Sequence, residues 1–224
     1  MNLLGKVKAI KEVRYEAFVK SGKAEKGRYV GWAHFYTFNE KGNREEEVLA
    51  NPDGSEGSKA IYTYDKKGNK TGVNTFQPNG SPNLKITSKY DPKGFETERT
   101  VTDLSGSGDN WYTTYKYDNE GRKTEESILH LDGEPSKILY KYDEKGNMIE
   151  SNQLKPDGSP VFKYNYKYDE KGNKIEMMNT VEGILRNTFT YTYEFDPTGN
   201  WIKEFDSEKG KLLFIVEREI TYYE

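Results

Sequence analysis

The chain has 224 residues, with 34 Lys and Arg against 37 Asp and Glu for a net charge of −3, and only 33% of its residues are hydrophobic. The two signs alternate instead of forming a basic stripe, which argues against nucleic acid as a partner, and the lack of cysteine excludes disulfides, thiol nucleophiles and zinc knuckles. No apolar run is long enough for a signal peptide or a membrane-crossing helix, so no membrane span is expected.

Such polarity would fit disorder, but the 18 Tyr, 10 Phe and 3 Trp are placed periodically, which predicts a folded chain. Residues 1–31 read as an N-terminal cap: an opening strand over Val7 to Phe18, then a longer polar connection to Gly31. Residues 32–210 hold seven repeats of one motif. It reads FNEKGN at Phe38, YDKKGN at Tyr64, YDPKGF at Tyr90, YDNEGR at Tyr117, YDEKGN at Tyr142 and Tyr168, and FDPTGN at Phe195, with the leading aromatics 25 to 27 residues apart. A fixed period of this length marks a repeat array in which each unit buries its apolar face against the next. Residues 211–224 close the chain with a C-terminal capping strand containing the one sustained apolar run, Leu212 to Val216, which predicts a strand covered on both faces.

Within a repeat the alternation is strict. Phe162, Tyr164, Tyr166 and Tyr168 share one face and Val161, Lys163, Asn165 and Lys167 the other, the pattern of a half-exposed β-strand. Asp169 suits the first position of a type I turn, where its side chain accepts a bond from the backbone two residues on, and Gly172 supplies the left-handed residue that closes a three-residue hairpin loop. That loop places the residue six beyond each leading aromatic directly across from it: Lys70 opposite Tyr64, Lys123 opposite Tyr117, Lys174 opposite Tyr168 and Trp201 opposite Phe195. A second set of turns follows about fourteen residues later, at Asp53-Gly54, Asn79-Gly80, Asp132-Gly133 and Asp157-Gly158, with weaker versions at Gly106 and Gly183. Two turns per period mean two strands per repeat. The expected fold is all-β: residues 1–224 as a single array, an extended antiparallel meander of about fourteen strands forming a twisted, curled open sheet, with a closed barrel or partial shell as the alternative.

The seven-fold motif resembles that of the YD-repeat (Rhs-type) family, the chain reading as a short bacterial member without the toxin or core region. The resemblance implies an extracellular, cell-surface or periplasmic β-repeat protein, and carbohydrate binding is ascribed to such repeats.

Signs of catalysis are absent. His34 and His130 have no Ser or Asp partner at a triad spacing, the carboxylates fall in turns or among lysines, and the turn Asp is better explained by turn chemistry than by calcium. No enzyme, cofactor or metal is expected. The aromatic rows carry two readings: scaffold rungs, or a ligand surface on which Trp111, Tyr115, Tyr140 and Tyr166 contact a polysaccharide or a protein. The expected function is a non-catalytic secreted or surface protein binding carbohydrate or protein. The alternatives are a structural module that pairs through its terminal strands, with an exposed edge at Leu212–Val216, and more distantly a toxin-associated shell fragment.

Overall fold

The computed structural model describes residues 3–108, 110–130 and 134–224, so the turn expected at Asp132-Gly133 lies outside the described residues. In chain order the strands are β1 (Val7–Lys20), β2 (Lys23–Tyr29), β3 (Ala33–Phe38), β4 (Arg44–Ala50), β5 (Ser58–Tyr64), β6 (Lys70–Phe76), β7 (Pro82–Tyr90), β8 (Glu96–Asp103) and β9 (Trp111–Tyr117). They continue as β10 (Lys123–His130), β11 (Ser136–Tyr142), β12 (Met148–Leu154), β13 (Pro160–Tyr168), β14 (Lys174–Val181), β15 (Ile184–Phe195), β16 (Trp201–Glu208) and β17 (Lys211–Tyr222). The chain forms two compact units, one of residues 1–64, 73–83 and 190–224, the other of residues 65–72 and 84–189.

In the second unit the hairpins follow the expected turn chemistry. At Asp143 the backbone N–H bonds the Asn147 carbonyl at 2.9 Å, and the Gly146 N–H returns to the Asp143 carbonyl at 3.1 Å. The Asp143 carboxylate accepts from the Asn147 backbone at 2.8 Å and from its amide at 2.9 Å. The register follows: Tyr117 faces Lys123, Tyr142 faces Met148 and Tyr168 faces Lys174, each six residues on. One step further the register slips, leaving Thr97, Thr124, Ile149 and Ile175 as extra residues of four β-bulges.

Each bulge disturbs the ladder beside the carbonyl six residues after the Tyr, and at Thr97, Thr124 and Ile149 the next repeat supplies a donor there, whereas beyond Ile175 the next repeat begins with Phe195, which has no hydroxyl. Tyr90 Oη donates to the Lys70 carbonyl, Tyr142 to Lys123 and Tyr168 to Met148, all at 2.8 Å, and Tyr117 does the same to Glu96. In the first unit Tyr64 reaches the Arg44 carbonyl at 2.7 Å. The recurring Tyr is therefore a clip between successive repeats, which phenylalanine could not be. Tyr142→Phe should cost about 1 kcal/mol, the typical net worth of one hydrogen bond, and lower the melting temperature by about 2–4 °C. A melting temperature equal to that of the parent would remove the clip from the account.

The opposite face of these hairpins carries charge. Lys89–Glu98, Lys116–Glu125, Lys141–Glu150 and Lys167–Glu176 pair across the strands at 2.7, 3.0, 3.0 and 2.8 Å, each Lys standing just before a repeat Tyr. Each exposed pair contributes at most about 1 kcal/mol, so together they set solubility and register more than stability.

In the first unit the buried side chains Val7, Ile10, Tyr36 and Phe38 cluster with Leu3, Ile220 and Tyr222 packed on them. The cluster sits where the chain ends meet: β1 pairs with β17 from Val7↔Tyr222 to Glu16↔Phe214, and on its other side with β3 from Ala9↔Thr37 to Glu12↔His34. All seventeen strands belong to one sheet, and this double pairing of β1 makes sixteen of them, β2 excepted, a closed ring. The expected open, curled sheet is thereby corrected. Closure in the topology of a barrel, the alternative, is the arrangement found. The terminal strands do not cap two separate edges. They pair with each other, because both present the same alternation and an unpaired edge would leave a row of backbone groups without partners.

Two further expectations change. The connection from Phe18 to Gly31 is largely strand: Ser21 and Gly22, at φ 50° and 76°, turn the chain back so that β2 pairs with β1 from Tyr15↔Tyr29 to Lys20↔Lys23. Its charged residues gave no alternation because β2 buries almost nothing. The edge expected at Leu212–Val216 is not exposed, since Phe214, Ile215 and Val216 pair with β16 on one side and β1 on the other. Ile215 and Val216 are both buried, which fits a strand covered on both faces.

Candidate functional site

The four residues singled out from the sequence all lie in the second unit, on one face and on alternate strands β9, β11 and β13. Trp111 tilts against His130 at a ring separation of 5.8 Å. Tyr115 is buried, with the Lys123 ammonium 4.3 Å and the Arg99 guanidinium 5.5 Å from its ring centre. Burial and the nearby Glu126 carboxylate hold the Tyr140 phenol well above its ordinary pKa. Tyr166 stacks near Tyr164, 6.4 Å away, with its hydroxyl 3.5 Å from Ser151 Oγ. The structure thus brings Tyr115 and Tyr140 together around Glu126 and leaves Trp111 and Tyr166 to either side.

The first unit holds a cavity of about 390 Å³ that the sequence reading did not find. Its floor comes from strand register. Glu12 on β1 lies opposite Arg218 on β17 and His34 on β3, while Val216 lies between Arg14 and Glu204. Arg218 Nε donates to Glu12 Oε2 at 2.7 Å, and its guanidinium lies over the Trp201 ring at 3.4 Å. Arg14 Nη2 donates to Asp206 Oδ2 at 2.9 Å and covers the Phe214 ring at 3.9 Å. Both the Arg218 and Asp206 side chains are 8% exposed, so their charges are held away from water and depend on these partners. The Val30–Trp32 segment forms the wall, tied to β1 by the Val30 N–H bond to the Arg14 carbonyl at 2.7 Å. Trp32, half exposed, stands at the opening.

A signal for this site exists in the sequence. On β17 the side chains Phe214, Val216, Ile220 and Tyr222 share the aromatic side of the alternation, and Arg218 interrupts them. A charged residue at an apolar position on an otherwise regular strand is the mark, and the same holds for Glu12 beyond Ile10 on β1.

Beside the cavity His34 joins a second polar group. His34 Nδ1 lies 3.2 Å from Glu47 Oε1, and Glu47 Oε2 accepts from Arg44 at 2.9 Å and from the Tyr62 hydroxyl at 2.7 Å. The Glu47 bond raises the His34 pKa above its ordinary 6.5 against the cost of desolvation; Glu12 and the Glu47 charge add to the rise and Arg44 opposes it. The same bond, with Tyr62 and Arg44, lowers the Glu47 pKa. A raised histidine stabilises the fold fully below its unfolded pKa and loses that contribution as pH climbs through the folded one; a lowered carboxylate loses its contribution as pH falls. The pair is therefore strongest between the ordinary Glu and His values. Melting should be higher at about pH 6 than at about pH 8.5, with part of the difference absent from His34→Gln. Identical pH profiles for the two proteins would rule the pair out as a source of pH dependence.

No family model matches the chain, and no curated protein matches it. A porin-like protein from Bacteroides uniformis has a similar structure: TM-score 0.61 and 14% identity, with 98% of each chain covered. At that identity the likeness establishes the fold alone. A TcdB2–TccC3–Cdc42 complex matches at TM-score 0.37 and 15% identity over 96% of this chain, and the Tc holotoxin pore of Photorhabdus luminescens at TM-score 0.32 and 13% identity over 94%. This chain spans 11% and 13% of those two chains, and such scores carry no structural argument.

The findings correct two expectations. The β-sheet repeat is real, but the expected membership of the YD-repeat family is overturned by the closed fold, which is shared with a porin-like protein. The exclusion of a membrane span also falls. It rested on the lack of a long apolar run, which concerns helices. Although no helix among the described residues is long and apolar enough to cross a membrane, closed sheets cross with strands, and a porin-like protein has this fold.

Proposed function

We propose that this chain is a non-catalytic structural β-barrel of the cell envelope or extracellular surface, assembled by pairing its own terminal strands. The observation that supports it is the pairing of β1 with both β17 and β3, which uses the first and last strands to complete the sheet within one chain. An envelope location draws support from the fold shared with a porin-like protein. Light scattering of the purified chain should give the mass of one copy, 25.9 kDa. A stable dimer would mean that the terminal strands pair between copies. Fractionation of the native host should recover the protein in the outer membrane, periplasm or medium, and recovery in the cytosol would overturn the location.

Ligand capture by the aromatic face of the second unit is the second reading, favoured by the placement of Trp111, Tyr115, Tyr140 and Tyr166 on one face of alternate strands. Rungs two strand spacings apart, roughly 10 Å, would engage a polymer better than its short oligomers. A glycan array with Trp111→Ala and Tyr140→Ala as controls tests it; binding that survives both substitutions would leave these rings as scaffold.

A further inference from the structure

We infer that the tip of the β1–β2 hairpin is a contact site for an anionic lipid bilayer. The pairing of β1 with β17 ends at Glu16, after which β2 is its one described partner, and β2 pairs with no other strand among the described residues. A two-stranded ribbon with both edges free therefore runs from Ala17 to Lys26, outside the closed ring. Such a ribbon is marginal in water unless something covers it, and its own charges work against it. Lys20 faces Lys23 across the Ser21-Gly22 turn, like charges set directly opposite each other, and no carboxylate among the described residues pairs with either.

The exposed apolar side chains of the ribbon lie on both of its faces. Phe18 shares the face of the two lysines and is 46% exposed, while Val19, opposite Ala24 on the other face, is 63% exposed. A protein partner would cover one face of so thin a ribbon and leave the other in water, whereas a bilayer interface surrounds a tip that enters it. Edge pairing with a strand of a second copy is opposed by the lysines that end both strands.

Charge decides the kind of bilayer. Residues 16–29 carry Lys20, Lys23, Lys26 and Arg28 against Glu16 and Glu25, on a chain whose net charge is −3. Lys26 and Arg28 serve the base of the ribbon, bonding Glu217 at 2.6 Å and Glu16 at 2.7 Å. Lys20 and Lys23 are left at the tip, ahead of Glu25, which faces Phe18. Val19 and Phe18 follow the lysines by one and two residues, about 3 and 7 Å along the strand, so all four side chains fit within the roughly 5–10 Å of the headgroup boundary. There the long lysine stems keep the ammonium groups among lipid phosphates while the apolar groups reach the acyl chains. Such a contact does not depend on the host location proposed above, and purified protein with synthetic vesicles tests it whatever fractionation gives.

The experiment is co-sedimentation with vesicles of phosphatidylcholine containing about 30% phosphatidylglycerol, beside vesicles of phosphatidylcholine alone. The anionic vesicles should bind the protein, the neutral ones should bind it at least about tenfold more weakly, and salt at about 0.5 M should release it. Lys20→Glu combined with Lys23→Glu should weaken binding about 30-fold or more, and Phe18→Ser combined with Val19→Ser about tenfold. All four positions are exposed, so both variants should melt with the parent. Because the chain has no cysteine, Val19→Cys accepts a single environment-sensitive dye, whose emission should shift to the blue on anionic vesicles. The same dye at Ile184→Cys, a similarly exposed apolar position in the second unit, should not shift. No sedimentation with the anionic vesicles, equal binding by the parent and the double glutamate variant, or a dye at Val19 that stays in water while the protein sediments would each overturn the assignment.

Discussion

Asn200→Ala should lower the melting temperature by roughly 6–12 °C, corresponding to about 3 kcal/mol for a chain of this size. Asn200 ends the last repeat turn, where Asn69, Asn147 and Asn173 spend the amide on their own turn Asp. Here the amide faces the N-terminal segment: Nδ2 donates to the Leu4 carbonyl and to the Tyr222 hydroxyl, both at 2.8 Å, and Oδ1 accepts from the Leu4 N–H at 2.8 Å. The Tyr222 hydroxyl in turn donates to the Asp196 carboxylate. The residue is 4% exposed, so truncation removes three hydrogen bonds at once and leaves a hole at a buried position. The control is Asn173→Ala. Its amide donates to its own turn Asp169 at 2.8 Å, and its loss should cost about 1 kcal/mol. Equal costs for the two variants would show that Asn200 does no more than finish a turn.

The second large effect is at Gly121. Gly121 and Gly146 occupy the same turn position, at φ 79° and 87°, where a side chain is strained by about 1–3 kcal/mol. Around Gly146 nothing lies within 4 Å of the place a Cβ would take, whereas at Gly121 the Phe95 ring is 2.7 Å away. That ring, stacked on Tyr117 at 5.0 Å, stands where most repeats have Asn. Gly121→Val should therefore exceed Gly146→Val by about 1–2 kcal/mol. Restoring the commoner residue with Phe95→Asn should recover most of the excess, as a coupling of about 1 kcal/mol in a double-mutant cycle. Additive losses would mean that backbone strain alone accounts for Gly121.

These contrasts show where sequence reasoning reached and where it stopped. The turn at Asp143 and the facing of Tyr117 with Lys123 were legible because both follow from the conformations that Asp and Gly allow over five residues. The bulges at Thr124 and Ile149 were not, since nothing distinguishes a bulged residue from a paired one except the hydroxyl that arrives from the next repeat. Closure was not legible either. Val7 and Tyr222 are at opposite ends of the sequence, and their alternation would suit a free edge as well as a paired one. Of the candidate site, the aromatic face around Tyr115 and Tyr140 followed from parity. The cavity did not, because Glu12, Arg14, Asp206 and Arg218 resembled the many surface charges of a chain that is 32% Asp, Glu, Lys and Arg.

The clip from each repeat Tyr to a backbone carbonyl has a consequence for how such a chain can change size. What the hydroxyl meets is main chain, present whatever residue stands there: it is Lys at 70 and 123, Glu at 96 and Met at 148. Excising residues 143–168 would join Tyr142 to Asp169 and leave the motif in phase, with the Tyr still facing an equivalent acceptor. Repeats are thus interchangeable parts with a common fastener, and gain or loss of one changes the strand number by two while preserving the antiparallel order. The residues that tie the two ends of the chain together lie at the seam, at Leu4, Asn200 and Tyr222. Duplication and deletion within the array can then alter the girth of the ring without redesign of the joint that shuts it.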